Sequence, residues 1–365
     1  MDVLIYGAGQ NCKSLIEAAK LSADIRVKGI FDTYIKGERF GFEILDICKF
    51  KDYGLPNDLP VIISLGALKD AVGIARKIQR NGFINVYWYL NKTKIFSDNF
   101  LEANCIKLPN LSKDAFLPSL EVHVADFCNL NCAGCVHFSP LFEKIFPDKD
   151  KRLDDLNIIS SLVDHVGVLS LLGGEPLLNP DCIHYVNEAR KCFPKSEIQL
   201  VTNGLLLLKV KEDLFHALHE NNITLIISEY EPTHKLINAI IKKLDEWSID
   251  YTIRAYEKKQ KFNRPLSIRK GSQHELYCIC DGCVGVCDGK VARCPVVLYI
   301  RKFNERFKQN LPEYGVWQLS DFRNGDELLR RMEEKIPLCD YCIRNEMDWH
   351  MCTREASITD FAVLD

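Results

Sequence analysis

The chain has no uncharged apolar run of about 18 residues, so no membrane-spanning helix is expected. It has no excess of charge. Its 47 basic and 50 acidic side chains leave a net -3, which argues against a protein that grips nucleic acid by charge. It has no low-complexity tract and no repeat of solenoid period, which excludes the repeat architectures. The first residues, Met1-Asp2-Val3-Leu4-Ile5-Tyr6-Gly7, lack a basic n-region and read as a strand rather than a secretory signal, so a cytoplasmic location is expected. General disorder is excluded as well, because 47% of the 365 residues are apolar, enough for a sizeable core.

Cysteine, by contrast, is abundant, with 16 residues. In a cytoplasmic chain of this size, metal ligation or catalysis is a better reading than disulfides. Residues 1–95 hold two, 96–270 hold six and 271–365 hold eight, a crowding that scattered core thiols would not produce.

The pattern of apolar runs divides the chain. Residues 1–95 read as a small Rossmann-like parallel α/β domain, with strands at 3–6, 27–32, 61–66 and 86–90 separated by helical patterns. Its first turn, Gly7-Ala8-Gly9-Gln10-Asn11-Cys12, is most of a dinucleotide fingerprint, with Asp32 at the distance of the ribose-binding acid and Cys12 in place of the third glycine. Nucleotide binding and a docking or dimerising role both fit it. Residues 96–118 read as a linker. Residues 119–270 repeat strand and helix five times, which predicts a parallel sheet, open or curled into a partial (β/α) barrel. Residues 271–365 read as a small, loop-rich α+β segment held together by bound metal, with an Asp288-Gly289 hairpin turn.

After the first barrel strand comes Cys128-Asn129-Leu130-Asn131-Cys132-Ala133-Gly134-Cys135, spaced C-x3-C-x2-C. Three thiolates on one loop can wrap one face of a [4Fe–4S] cube and leave one iron open for chemistry. Structural zinc, with His137 as fourth ligand, is the alternative. Gly173-Gly174-Glu175-Pro176 ends the next strand, Val201-Thr202-Asn203-Gly204 the third, and Ser228 the fourth. These strand ends face one rim, where parallel α/β sheets put their sites.

Taken in this order, the motifs resemble those of radical SAM enzymes. The resemblance implies that Cys128, Cys132 and Cys135 hold a [4Fe–4S] cluster that binds S-adenosyl-L-methionine (SAM). It also implies that Gly173, Gly174, Glu175, Thr202, Asn203, Ser228 and Arg254 contact that SAM, Glu175 by accepting from its ammonium group. Reductive SAM cleavage would give a 5′-deoxyadenosyl radical that takes a substrate hydrogen, with an external one-electron donor such as flavodoxin or ferredoxin. Gly134 departs from the aromatic residue common before the last loop cysteine. That leaves open what packs beside the adenine.

The later cysteines resemble the SPASM/Twitch extension of such enzymes. The spacing from Cys278 through Gly289 to Cys294, then Cys339-Asp340-Tyr341-Cys342, implies one auxiliary [4Fe–4S] cluster on Cys294, Cys339, Cys342 and either Cys278 or Cys283. Cys280 and Cys287 are weaker candidates, and zinc is the rival occupant. The basic run Lys258, Lys259, Lys261, Arg264, Arg269 and Lys270 reads as a solvated connector or a substrate phosphate site. The small Gly-Ala-Gly unit resembles domains on enzymes of surface-glycan and nucleotide-sugar pathways. It points to a small-molecule or glycan-type substrate that is dehydrogenated, epimerised or deoxygenated. A peptide maturase, or a non-enzymatic iron–sulfur carrier or sensor, is the alternative.

Overall fold

The computed structural model describes residues 1–22, 24–47, 53–96, 99–271, 278, 282–352 and 355–364. The chain forms two compact units, Met1–Pro118 and Ser119–Asp365.

The first unit is built on a seven-stranded sheet. Its strands are β1 (Asp2–Tyr6), β2 (Arg26–Phe31), β3 (Glu38–Arg39), β4 (Phe42–Leu45), β5 (Val61–Ile63), β6 (Val86–Tyr89) and β7 (Cys105–Lys107), in the order β3-β4-β2-β1-β5-β6-β7. The central pairs are parallel, as expected from strands that alternate with helices α1 (Gln10–Leu21) and α2 (Leu68–Arg80). Val3, Leu4, Ile5, Ile62 and Ile63 are fully buried, as strands covered on both faces require. Residues 96–118, expected as linker, instead contribute helix α3 (Phe100–Asn104) and β7, which pairs antiparallel with β6. Asp32 is buried at the end of β2. Its carboxylate accepts from the backbone amides of Ala8, Tyr34 and Ile35, at 2.8–2.9 Å. It therefore ties the glycine turn to its own loop, and the ribose-binding role expected of it gains no support from this geometry.

In the second unit the strands β8 (Phe116–Ala125), β9 (His165–Gly173), β10 (Glu197–Thr202), β11 (Thr224–Ser228) and β12 (Tyr251–Arg254) lie side by side in chain order. The pairs from β9 to β12 are parallel. They are interleaved with α4 (Lys149–Leu162), α5 (Cys182–Cys192), α6 (Glu212–Glu220), α7 (Glu231–His234) and α8 (Ile237–Glu246). Among the described residues the sheet stays open, a mixed α/β arrangement without a closed barrel.

Beyond β12 come β13 (Lys261–Ser267), β14 (Val284–Cys287), β15 (Lys290–Ala292), α9 (Pro295–Phe307), β16 (Val316–Gln318), α10 (Gly325–Glu333), β17 (Cys342–Asp348) and β18 (Ala362–Val363). The extension is not a separate layer. Strand β14 joins the main sheet parallel to β8, and β15 and β16 continue it to eight strands. Asp288 and Gly289 take left-handed φ of 52° and 80°, the geometry of the expected two-residue hairpin. Strands β17, β13 and β18 form a third sheet. Much of the basic run is committed to it or to its approach: Lys261 pairs with Asp348 at 2.6 Å, Arg264 with Asn345 at 2.7 Å, and Lys270 with Asp340 at 3.1 Å. Among the described residues no helix is long and apolar enough to cross a membrane.

Candidate active site

The rim of the main sheet opens onto a cavity of about 650 Å³. Cys128, Cys132 and Cys135 line it from the loop after β8, and Gly173 and Gly174 from the end of β9. Thr202 and Asn203 line it from β10 and its turn, Ser228 from β11 and Arg254 from β12. Apart from Glu175, every residue that the sequence motifs assign to SAM faces this one space.

The two glycines are there for a steric reason. A Cβ on Gly173 would sit 2.0 Å from the Ala125 carbonyl oxygen, and one on Gly174 would sit 2.0 Å from that of Phe127. The end of β9 therefore lies directly on the backbone entering the cysteine loop. The Gly174 amide donates to Ala125 O at 2.7 Å and the Glu175 amide to Phe127 O at 3.1 Å.

Glu175 does not reach the cavity. It is fully buried, and its carboxylate accepts from Leu177 N (3.1 Å), Thr202 Oγ1 (2.7 Å) and Asn203 N (2.8 Å). Burial pushes its carboxyl up to about 7 despite these donors. Its visible work is to hold the Thr202–Asn203 turn. Asn203 in turn donates to Asn129 Oδ1 at 2.7 Å and approaches the Cys128 thiol at 3.6 Å. The glycine motif, the Thr-Asn-Gly turn and the cysteine loop are thus one hydrogen-bonded unit.

The loop's sulfurs meet donors suited to anionic ligands. The Leu130 amide lies 3.4 Å from Cys128 Sγ, and the Trp349 indole N–H lies 3.2 Å from Cys132 Sγ. Burial raises the Cys135 thiol, but its hydrogen bonds, with His137 foremost, bring it below its ordinary value. Three thiols with N–H donors beside an open cavity fit a thiolate-bound cluster with one free iron.

Aromatic side chains from other elements lie close to Gly134. A Cβ on Gly134, which has φ of 74°, would meet Asn263 O at 2.9 Å and the Phe262 ring at 3.4 Å. Phe262 and Tyr230 both line the cavity, and Tyr230 stacks on Trp349 with ring centroids 5.1 Å apart. Sequence reasoning missed Tyr230, Phe262 and Trp349, since nothing local marks them; they reach the loop from three separate elements.

The later cysteines separate into two groups. Cys278, Cys294, Cys339 and Cys342 line one small cavity of about 30 Å³. Cys283 lines the large cavity beside Glu121, close enough to Cys278 and Cys294 to feel their charge. Cys287 is buried near Arg152 and Asp288, and Cys280 lies outside the described residues. Of the two candidates for the fourth auxiliary position, the geometry gathers Cys278 with the others.

A family model described as the radical SAM superfamily matches residues 122–261. A GTP 3',8-cyclase of Peptoclostridium acidaminophilum is 33% identical over 109 residues, covering 29% of this chain and 33% of that protein. One from Clostridium acetobutylicum is 30% identical over 153 residues, covering 40% of this chain and 46% of its own. The chain thus spans less than half the length of either relative. Among solved structures, BtrN in complex with AdoMet and 2-DOIA has a TM-score of 0.43 at 18% identity, covering 62% of this chain and 92% of that one. Streptococcus suis SuiB bound to precursor peptide SuiA has a TM-score of 0.26 at 14% identity, covering 67% of this chain and 60% of that one.

Proposed function

We propose that this chain, which carries a radical SAM domain over residues 122–261, cleaves SAM reductively and abstracts hydrogen from a small sugar-type or nucleotide-sugar substrate. The carrying observation is that Cys128, Cys132 and Cys135 share one cavity with Gly173, Gly174, Thr202, Asn203, Ser228 and Arg254. A bound [4Fe–4S] cluster, reduced by an external one-electron donor, would pass that electron to SAM and so supply the hydrogen-abstracting radical chemistry. The protein's own residues do the rest. Gly173 and Gly174 let the strand end close on the cysteine loop, and Glu175 locks the Thr202–Asn203 turn. Arg254, which makes no ion pair among the described residues, is free to meet a carboxylate. An iron–sulfur carrier would have no use for this furnished cavity.

The auxiliary cluster is assigned to Cys278, Cys294, Cys339 and Cys342, which line one cavity. The Gly-Ala-Gly unit supports a nucleotide-sugar or glycan context over a peptide one. Anaerobically reconstituted protein should hold about eight irons, and the Cys128, Cys132 and Cys135 triple Ala variant about four. With a strong reductant, wild type should release 5′-deoxyadenosine and the triple variant none. Zinc without labile sulfide would refute the cluster assignment.

A further inference from the structure

Beside the cysteine loop, at the wall of the large cavity, lies a group of side chains that the radical reading assigns neither to iron nor to SAM. Glu121 and His123 stand two apart on β8, so both project from one face of the strand. His137 comes from the loop beyond Cys135. One ligand atom from each of the three lies within 4.8 Å of the others. Glu121 Oε2, His123 Nε2 and His137 Nε2 are all buried without a hydrogen-bond partner. Buried polar atoms without a hydrogen-bond partner are costly unless something binds them.

The surroundings define the lone pairs. Tyr299 hydrogen-bonds to His123 Nδ1, and its hydroxyl donates to Asp126 Oδ1 at 3.3 Å. In the tautomer whose Nδ1–H donates to the phenol oxygen, the hydroxyl proton goes to Asp126. Nε2 of the fully buried His123 then carries a free lone pair. A ring fixed through one nitrogen, with the other left bare, is how metal-binding histidines are oriented. His137 Nε2 lies 3.6 Å from Glu121 Oε2. Tetrahedral bonds of the usual zinc length put donors about 3.3 Å apart, so this edge is nearly formed. Phe138, next to His137, takes a left-handed φ of 50° while its ring is fully buried against Phe303 and Phe361.

We propose that Glu121, His123 and His137 form a mononuclear zinc site, distinct from both cysteine sets. Two imidazoles and one carboxylate make a three-ligand set that leaves a coordination position open. Glu121 and His137 line the 650 Å³ cavity, so that position faces its occupant. The ligand it takes is a substrate hydroxyl oxygen, which zinc polarises. Cys283, beside Glu121 in the same cavity, lies outside the three-residue cluster.

The test is made on full-length, anaerobically reconstituted protein given zinc sulfate and passed over a chelating resin. Elemental analysis counts the zinc. Absorption at the zinc K-edge, which is blind to iron, reads its neighbours. The expected result is about one zinc per chain in a nitrogen and oxygen shell with imidazole scattering. Glu121→Gln and His123→Gln should each weaken zinc retention at least tenfold, at unchanged iron and sulfide. No retained zinc, a sulfur shell, or equal retention in both folded variants would overturn the site. The wild-type spectrum decides the matter even if a variant misfolds. The readout is zinc rather than SAM cleavage, so failure here is distinguishable from failure of the radical reading.

Discussion

At Gly174 a single added methyl would occupy the space of the Phe127 carbonyl oxygen, and the clash is with backbone, which cannot swing aside. Gly174→Ala should destabilise the second unit by at least ~2 kcal/mol, as overpacking a tight site does. It should also lower the iron held by the cysteine loop; chemical unfolding together with iron content checks both. Glu175 gives a pH signature. Its carboxyl is raised from 4.5 to about 7, so the unfolded chain ionises before the folded one. The contribution of Glu175 to stability is therefore greatest below pH 4.5 and is lost as pH rises to 7, by up to about 3 kcal/mol. In Glu175→Gln this fall should flatten. Denaturant midpoints of cluster-free protein, measured from pH 5 to 8, would show no difference between the two proteins if the carboxyl were not buried as described. The motif Gly-Gly-Glu-Pro was legible from sequence, but the direction of Glu175 was not. Sequence order cannot say whether a carboxylate turns toward a ligand or back to neighbouring amides.

Strands dense in Val, Ile and Leu announced themselves. Expected runs at 61–66, 198–202, 223–228 and 251–254 fall on β5, β10, β11 and β12, within a few residues. What stayed hidden was polar, or short. Strand β13 reads Lys-Phe-Asn-Arg-Pro-Leu-Ser, a basic stretch with a proline, and its regularity comes from β17, whose acidic residues lie far along the chain. Strand β7 is three residues long and is a strand only because β6 offers an edge. Strand β13 also delivers Phe262 to the ring space left by Gly134. Phe262→Ala should weaken SAM binding about tenfold, within the range of one aromatic contact, and leave the iron content intact. Equilibrium binding of SAM to the reconstituted protein measures it, and an unchanged affinity would remove Phe262 from the adenine side of the cavity.

On the scale of the whole molecule, every residue assigned to iron, SAM or zinc belongs to the unit Ser119–Asp365. A chain lacking residues 1–112 should therefore keep its iron and still release 5′-deoxyadenosine; loss of both on truncation would show that the first unit is required for the second to fold. The sequence-based boundary at residue 270 was misleading for a physical reason. Segments separated by a change in composition can still share one sheet, as β14 does with β8.

The bond from the Trp349 indole to the Cys132 sulfur spans 217 residues, and the Ala133 amide donates to His350 O in the same neighbourhood. A cysteine loop written early in the chain is thus completed by residues written late. At about 5–20 residues per second, a growing polypeptide exposes three bare thiols for roughly 10–40 s before that partner exists. During this interval the loop is open to oxidants and to stray metal ions. Faithful loading of iron therefore belongs after synthesis, when the late residues have closed over the cysteine loop.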